Sequence, residues 1–87
     1  MIYAPQAEWP SLVATVRNAD VYVQVIAGTV RVSNLRDTLV TSGPENEPQG
    51  LRFSPTMGVT RLRWTGDFWI IGDTGTELVN IEIVEAP

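Results

Sequence analysis

The sequence predicts a small all-β domain, and two observations support this fold class. Apolar residues alternate with polar ones or form short runs rich in Val, Ile, Thr and Trp, which is typical of strands rather than helices. Gly, Pro, Asn and Asp bound these runs at regular intervals, as in domains built from many short strands. We therefore expect a single-domain β-sandwich, a jelly-roll-like fold or a small barrel of about eight short strands, and the sequence does not decide among these closures.

The strands follow from the apolar runs and the turn residues between them. They are predicted at residues 12–17, 21–27, 29–33, 38–41, 51–54, 59–64, 68–71 and 77–84. In the second of these, three valines and Ala27 share one face, whereas Tyr22, Gln24 and Ile26 share the other. This alternation indicates a sheet with one buried side.

Two β-hairpins are predicted. Gly28 connects the second strand to the third, and the valines of both strands point inward, so this is the hairpin with the strongest pattern. A second hairpin is expected at Gly66 and Asp67, where a glycine suits a tight turn between the sixth and seventh strands. Leu62 and Trp64 should then face the core.

Residues 1–11 differ from the rest and are interpreted as an extended N-terminal arm before a β domain at residues 12–87. Two prolines favour an extended conformation, while Ile2, Tyr3 and Trp9 are too apolar for a solvated tail. We expect the arm to be docked, either on its own domain or on a neighbouring chain. The longest loop is expected at residues 42–50, which hold two prolines and two glycines.

The composition excludes several classes of chemistry. The chain has no cysteine and no histidine, and all six basic residues are arginine, so thiolates, imidazole bases and Schiff-base lysines are absent. We therefore expect no enzymatic activity and no cofactor. The net charge of −4 opposes general binding to nucleic acid or to anionic lipid. No apolar run is long enough for a membrane span, and no signal peptide is recognised.

One motif suggests a catalytic alternative. The segment around Asp73, Thr74 and Gly75 follows an apolar pair and resembles the active-site loop of retroviral-type aspartic proteases, in which two copies pair their Asp carboxylates. In that family the loop lies in the first third of the chain, whereas Asp73 lies near the end of this one. The competing interpretation is a hairpin turn that uses Asp, Thr and Gly for their turn preferences.

Carboxylates offer the only metal alternative, because oxygen ligands are the only kind available. Glu45 with Glu47, or Asp73 with Glu77, are candidates for calcium. Calcium takes six to eight oxygens, and no EF-hand-like spacing is present. Solvated loop carboxylates are the alternative, and we expect no metal site.

Two binding alternatives depend on aromatic residues. Arg61 and Arg63 project from one face of a strand, and Arg31, Trp64 and Trp69 could join them in a surface of the single-strand-binding type. Because the overall charge is negative, core packing of the tryptophans is the competing interpretation. A carbohydrate-binding module would instead present an exposed aromatic ring, and Trp9 is the best candidate.

The runs at residues 20–32 and 66–70 resemble small structural proteins of tailed bacteriophages, especially capsid decoration or cement proteins. The resemblance covers about a third of the chain. It implies a compact β domain on the outside of a capsid, associated as a trimer, that grips the shell with an extended terminal arm.

From this resemblance we expect a homo-oligomer, with a trimer favoured, that is made in the bacterial host cytoplasm and binds the major capsid protein or another virion protein. Ile2, Tyr3 and Trp9 would anchor the arm, and Arg61 and Arg63 would add polar contacts. A tail or baseplate component is the alternative within the same class.

Overall fold

A computed structural model describes residues 1–39 and 50–86, and these form a curled antiparallel sheet that closes about half a barrel. The all-β prediction is therefore confirmed. The sheet has six strands in the order β1-β6-β2-β5-β3-β4. The strands are β1 (Ile2–Tyr3), β2 (Ser11–Ala27), β3 (Val30–Ser33), β4 (Leu51–Phe53), β5 (Val59–Gly72) and β6 (Leu78–Glu85).

Two long strands, β2 and β5, run through the whole sheet and divide it into two regions. In the β6 region, residues 19–24 of β2 pair with residues 59–64 of β5, and β6 and β1 extend the sheet beyond β2. In the β3 region, residues 11–16 of β2 pair with residues 66–70 of β5, and β3 and β4 extend the sheet beyond β5. The long strands bend between the regions, so one sheet can enclose one core.

The bend replaces the hairpin that was predicted at Gly66 and Asp67, and that prediction is wrong. β5 continues through both residues, and β2 shifts register between Val16 and Ala19. Gly66 pairs with Val16 and has a φ of 97°, a backbone conformation that disfavours residues with a Cβ. The glycine therefore marks a sharp bend within one strand, which local sequence does not distinguish from a turn between two strands.

The hairpin predicted around Gly28 is also wrong. Gly28 does turn the chain, with a φ of 80°, but β3 then pairs with β5 and β4 rather than with β2. The reason is that both edges of β2 before this turn are already paired with other strands. β5 pairs with one edge at residues 19–24, and β6 pairs with the other. The described residues hold six strands rather than about eight, because two predicted pairs are continuous, no strand is seen at the described part of residues 38–41, and β1 was not predicted.

The core lies on the concave side of the sheet. Val21, Val23 and Val25 are buried there, as their alternation predicted. Leu62 and Trp64 are partly buried and pack against the core cluster, which confirms their inward orientation. The fully buried core side chains also come from the β3 region, for example Phe68. Both regions thus contribute to one hydrophobic core.

The arm is docked on its own domain, which decides between the two expected positions. Ile2 and Tyr3 form the edge strand β1 against β6, and Tyr3 packs against the core cluster. Further along, the N–H of Gly72 donates to the carbonyl of Gln6 at 2.9 Å, and Pro5 is buried. The arm is therefore part of the sheet rather than a free extension.

The strand predicted at residues 38–41 is wrong where it can be compared. Leu39 is buried at the end of a short 3-10 helix, Arg36–Leu39, and the remainder of the predicted strand lies outside the described residues. A second 3-10 helix, Pro55–Met57, precedes β5. The loop predicted at residues 42–50 falls outside the described residues except for its last position.

Candidate interaction surface

The convex side of the β6 region carries the strongest candidate for an interaction site. Residues directly opposite each other in neighbouring strands point to the same face of a sheet. Tyr22 lies at the centre of this side, with Arg61 opposite it on β5 and Glu82 opposite it on β6. The next row on one side contains Asp20, Arg63 and Val84.

The row on the other side crosses four strands and contains Ile2, Asn80, Gln24 and Val59. Beyond this row, Ile26 lies at the register shift between Val25 and Ala27, and Leu78 lies opposite Ala27. We call this convex side of the β6 region the outer face.

The outer face exposes several large aliphatic side chains. Five of its large aliphatic side chains are between 40% and 60% exposed: Ile2, Ile26, Val59, Leu78 and Val84. A single exposed aliphatic residue is common on proteins, whereas several on one sheet face mark a surface that contacts a partner. The outer face is therefore chemically suited to protein–protein contact.

Arg61 and Arg63 are arranged around Asp20, whereas Glu82, on the same face, pairs with the N-terminal ammonium of Met1. Arg63 donates to the Asp20 carboxylate at 3.2 Å and also to the Asn18 side-chain oxygen at 2.8 Å. Arg61 approaches the same carboxylate at 3.4 Å. The hydrogen bond from Arg63, followed by the nearby positive charge of Arg61, holds the pKa of Asp20 below its ordinary value. These exposed pairs orient the arginines and contribute little to stability.

The structure brings together only some of the site residues predicted from the sequence. Ile2, Arg61 and Arg63 lie on the outer face, although β6 and β2 separate the strand of Ile2 from the strand of the arginines. Tyr3 points the other way, into the core, because it is paired with the buried Val79.

Trp9 lies outside the outer face, in the connection between β1 and β2, and is half-exposed. The additional aliphatic members of the outer face were not predicted as site residues. Strand alternation did place Ile26 on the side away from the core, but it could not show which residues of other strands surround it.

The Asp-Thr-Gly segment forms a tight loop that binds a carboxylate of this chain. The N–H of Thr74 and the N–H of Gly75 donate to the Glu77 carboxylate, the latter at 2.8 Å, and the Thr74 hydroxyl adds a third donor at 3.0 Å. Asp73 itself forms an ion pair with Arg31 at 2.9 Å. The Asp73 carboxylate, the Thr74 hydroxyl and the N–H groups of all three residues thus have intramolecular partners, as in a structural turn.

Glu77 is the only charged residue among the buried residues that the structure describes, with 2% of its surface exposed. Burial alone would raise its pKa, but hydrogen bonds from the backbone of Glu77, Thr74 and Gly75 and from the Thr74 hydroxyl outweigh this effect and lower the pKa. Gly28 and Gly72 leave room for the side chain, because a Cβ at either position would lie within 2.5 Å of a Glu77 atom. Glu77 therefore joins the turn after β5 to the turn after β2.

The calcium alternative gains no support from these positions. The Glu77 oxygens already accept hydrogen bonds, and within the described ranges no group of three or more carboxylates is close enough to hold a metal ion. Glu45 and Glu47 lie outside the described residues.

Arg61 and Arg63 lie on one face of β5 and Trp64 lies on the other, so that of these residues only Arg63 and Trp64 meet, at one open cleft. Trp64 points inward, where its ring centroid lies 4.7 Å from that of Phe68 and its indole N–H donates to the carbonyl of Asp67 at 2.8 Å. Arg61 and Arg63 point outward from the same strand. A single-strand-binding surface needs both groups on one side, so this interpretation is weakened.

An open cleft of about 350 Å³ lies where β5 passes the ends of β3 and β4. Trp64 lines it together with Arg63, Asn34 and Ser33. An aromatic ring beside polar side chains is a combination that can bind a small polar ligand. This cleft, rather than Trp9, is the stronger position for the carbohydrate alternative.

None of the helical segments described here is long and apolar enough to cross a membrane. Comparison with protein-family models, with curated proteins and with solved structures found no match to this chain. Similarity therefore assigns neither a family nor a function.

Proposed function

We propose that this protein is a non-enzymatic structural subunit that attaches to the capsid surface of a tailed bacteriophage and decorates or cements it. The observation that carries the proposal is the outer face, where exposed aliphatic side chains and two oriented arginines lie on one four-stranded surface. The resemblance of residues 20–32 and 66–70 to decoration proteins supplies the class of particle.

The amount of apolar surface fits repeated attachment to a large particle. Fully burying an aliphatic side chain contributes roughly 1.5–3 kcal/mol, so five side chains that are already half buried offer about 4–7 kcal/mol in total. Association itself costs an estimated 4–15 kcal/mol. One outer face therefore supports weak binding, and many copies on a symmetric shell gain affinity by avidity.

The N-terminal arm contributes one strand, β1, to the outer face. Because β1 is an edge strand of the domain, Ile2 extends the outer face by one strand, while Tyr3 secures the strand to the core. Deletion of residues 1–11 would remove a strand and is expected to disturb the fold as well as binding. Substitution of single exposed residues is therefore the better perturbation.

The proposal is tested by co-sedimentation of the purified protein with shells assembled from the major capsid protein of the same genome. Val59→Asp places a charge on the outer face at a position that is 60% exposed, and we expect it to abolish co-sedimentation. Leu35→Asp is the matched control, because Leu35 is 63% exposed and lies outside the six strands.

Wild type and Leu35→Asp should bind shells equally. Equal binding by Val59→Asp would reject the outer face as the contact, and failure of the wild type to bind would reject capsid attachment. Binding to tails or baseplates instead of shells would favour a tail component.

The carbohydrate-binding alternative is supported by the cleft beside Trp64. It predicts a protein that binds an immobilised glycan panel and ignores shells. The same two measurements therefore separate the alternatives.

A further inference from the structure

We propose that Arg61 binds a carboxylate of the capsid protein, and that the capsid surface under the outer face is therefore apolar around an acidic side chain. This inference rests on the proposed function, because it gives the chemistry of the contact at the same face. It also separates the roles of the two arginines on this face.

Arg63 is held by its own chain, whereas Arg61 is held weakly. Arg63 donates from Nε to the side-chain oxygen of Asn18 at 2.8 Å and from Nη1 to Oδ1 of Asp20 at 3.2 Å. Among the described residues, Arg61 has one contact of this kind, from its Nε to the same Oδ1 atom, and it is longer, at 3.4 Å. The Arg61 side chain is also 64% exposed. Its guanidinium group therefore keeps donors for a partner.

The Asp20 carboxylate does not neutralise two guanidinium groups once the outer face is buried. Water screens the surplus positive charge while the face is exposed, but a bound partner removes that water. A charge that is buried without an opposite charge is costly, and a hydrogen-bonded counter-ion offsets this cost. A partner that covers Arg61 is therefore expected to supply an anion.

Glu82, the other carboxylate of the outer face, does not meet this need. It lies opposite Tyr22 on the side away from Arg61, so two strand spacings, about 9.6 Å, separate the strands that carry Arg61 and Glu82. Glu82 also pairs with the N-terminal ammonium of Met1. It is thus both distant from Arg61 and already paired.

The surroundings of Arg61 favour a protein carboxylate over the phosphates of a nucleic acid. Val59 precedes Arg61 on the same face of β5 and is largely exposed, and its burial is favourable only against an apolar surface. The net charge of −4 opposes the approach of a nucleic acid. A planar guanidinium group can bind a carboxylate through two parallel hydrogen bonds, which gives the contact a defined geometry.

Co-sedimentation with the same capsid shells measures the contribution of Arg61. Arg61→Gln removes the charge at an exposed position, and we expect its affinity for shells to fall by about tenfold or more. The difference from wild type should shrink as the salt concentration rises, because salt weakens the wild-type ion pair. Arg52→Gln is the matched control with the same net charge, because Arg52 is exposed and lies on the opposite edge strand, β4. It should bind shells like wild type.

A carbodiimide, which joins an amine to a carboxylate in contact with it, identifies the partner group. The chain contains no lysine, so Arg61→Lys introduces one on the outer face and Arg52→Lys introduces one at the opposite edge. We expect the first variant to be cross-linked through position 61 to an acidic residue of the capsid protein. The second variant should not be cross-linked to the capsid protein through position 52. Mass spectrometry of the digested product locates both ends of the new amide bond.

Circular dichroism verifies that the variants are folded. An Arg61→Gln variant that binds shells like wild type would overturn the inference. So would an Arg61→Lys variant that is cross-linked to the capsid protein no more than Arg52→Lys. If Val59→Asp abolishes binding in either case, the outer face stands as the capsid contact and only the carboxylate is rejected. Failure of the wild type to bind shells would reject capsid attachment, and this inference with it.

Discussion

Replacement of Glu77 by glutamine tests the role assigned to the buried carboxylate. The substitution keeps the size of the side chain and removes its charge. One amide oxygen can still accept from Gly75 and, at 3.2 Å, from Thr74, but the new NH₂ group replaces the oxygen that accepts from the Thr74 N–H at 3.0 Å, so two donors oppose each other there. A buried polar group left without a partner costs about 1–3 kcal/mol, and we expect Glu77→Gln to lower the free energy of unfolding by about that amount at neutral pH.

The effect should depend on pH in a defined direction. Because folding lowers the pKa of Glu77, its ionised form stabilises the fold fully above the ordinary pKa of a glutamate, about 4.3. This stabilisation is lost as the pH falls through the lowered pKa of the folded state. The difference between wild type and Glu77→Gln should therefore be largest near neutral pH and shrink under acid.

Urea unfolding followed by tryptophan fluorescence at several pH values measures this difference. Glu8→Gln is the matched control, since Glu8 is exposed, and its unfolding free energy should stay within about 0.5 kcal/mol of wild type. A Glu77→Gln variant as stable as wild type at neutral pH would refute the assigned role. A deficit that stays constant into acid would show that the charge is not responsible.

Two further substitutions test the bend and the core. Gly66→Ala should lower the free energy of unfolding by about 1–2 kcal/mol, because Gly66 has a φ of 97°. The loss would come from the backbone alone, since a Cβ at this position meets no atom within 4 Å. An unchanged urea midpoint would mean that the bend does not need this conformation. Phe68→Ala should lower the free energy of unfolding by about 3–5 kcal/mol, because Phe68 is completely buried between the two regions. A loss below about 1 kcal/mol in the same assay would contradict a shared core.

The outer face shows which features strand alternation can predict and which it cannot. Alternation alone predicted that Arg61 and Arg63 point away from the core and that Ile26 does so too, and the exposed fractions agree. It could not predict that Ile2 belongs to the same face. That contact depends on the pairing of β1 with β6, between the two ends of the chain.

The same limit explains the two wrong hairpins. Gly28 and Gly66 each follow a run of strand-like residues, so they look alike in the sequence. In the structure both have a positive φ. Gly28 follows the end of β2, whereas Gly66 lies within β5 and bends it. The difference arises from the partners: residues 11–16 of β2 continue the pairing past Gly66, whereas Glu77 and the turn after β5 meet the chain at Gly28.

The sequence by itself determined the all-β class, the buried valines of β2, the inward orientation of Trp64 and the outward orientation of the arginines, because each of these depends on a period of two residues within one strand. The tertiary structure decided the strand order, the bends in β2 and β5, the burial of Glu77 and the assembly of the outer face. These features depend on which distant strands pair, and that choice is set by the burial and hydrogen bonding of the whole sheet rather than by any local pattern.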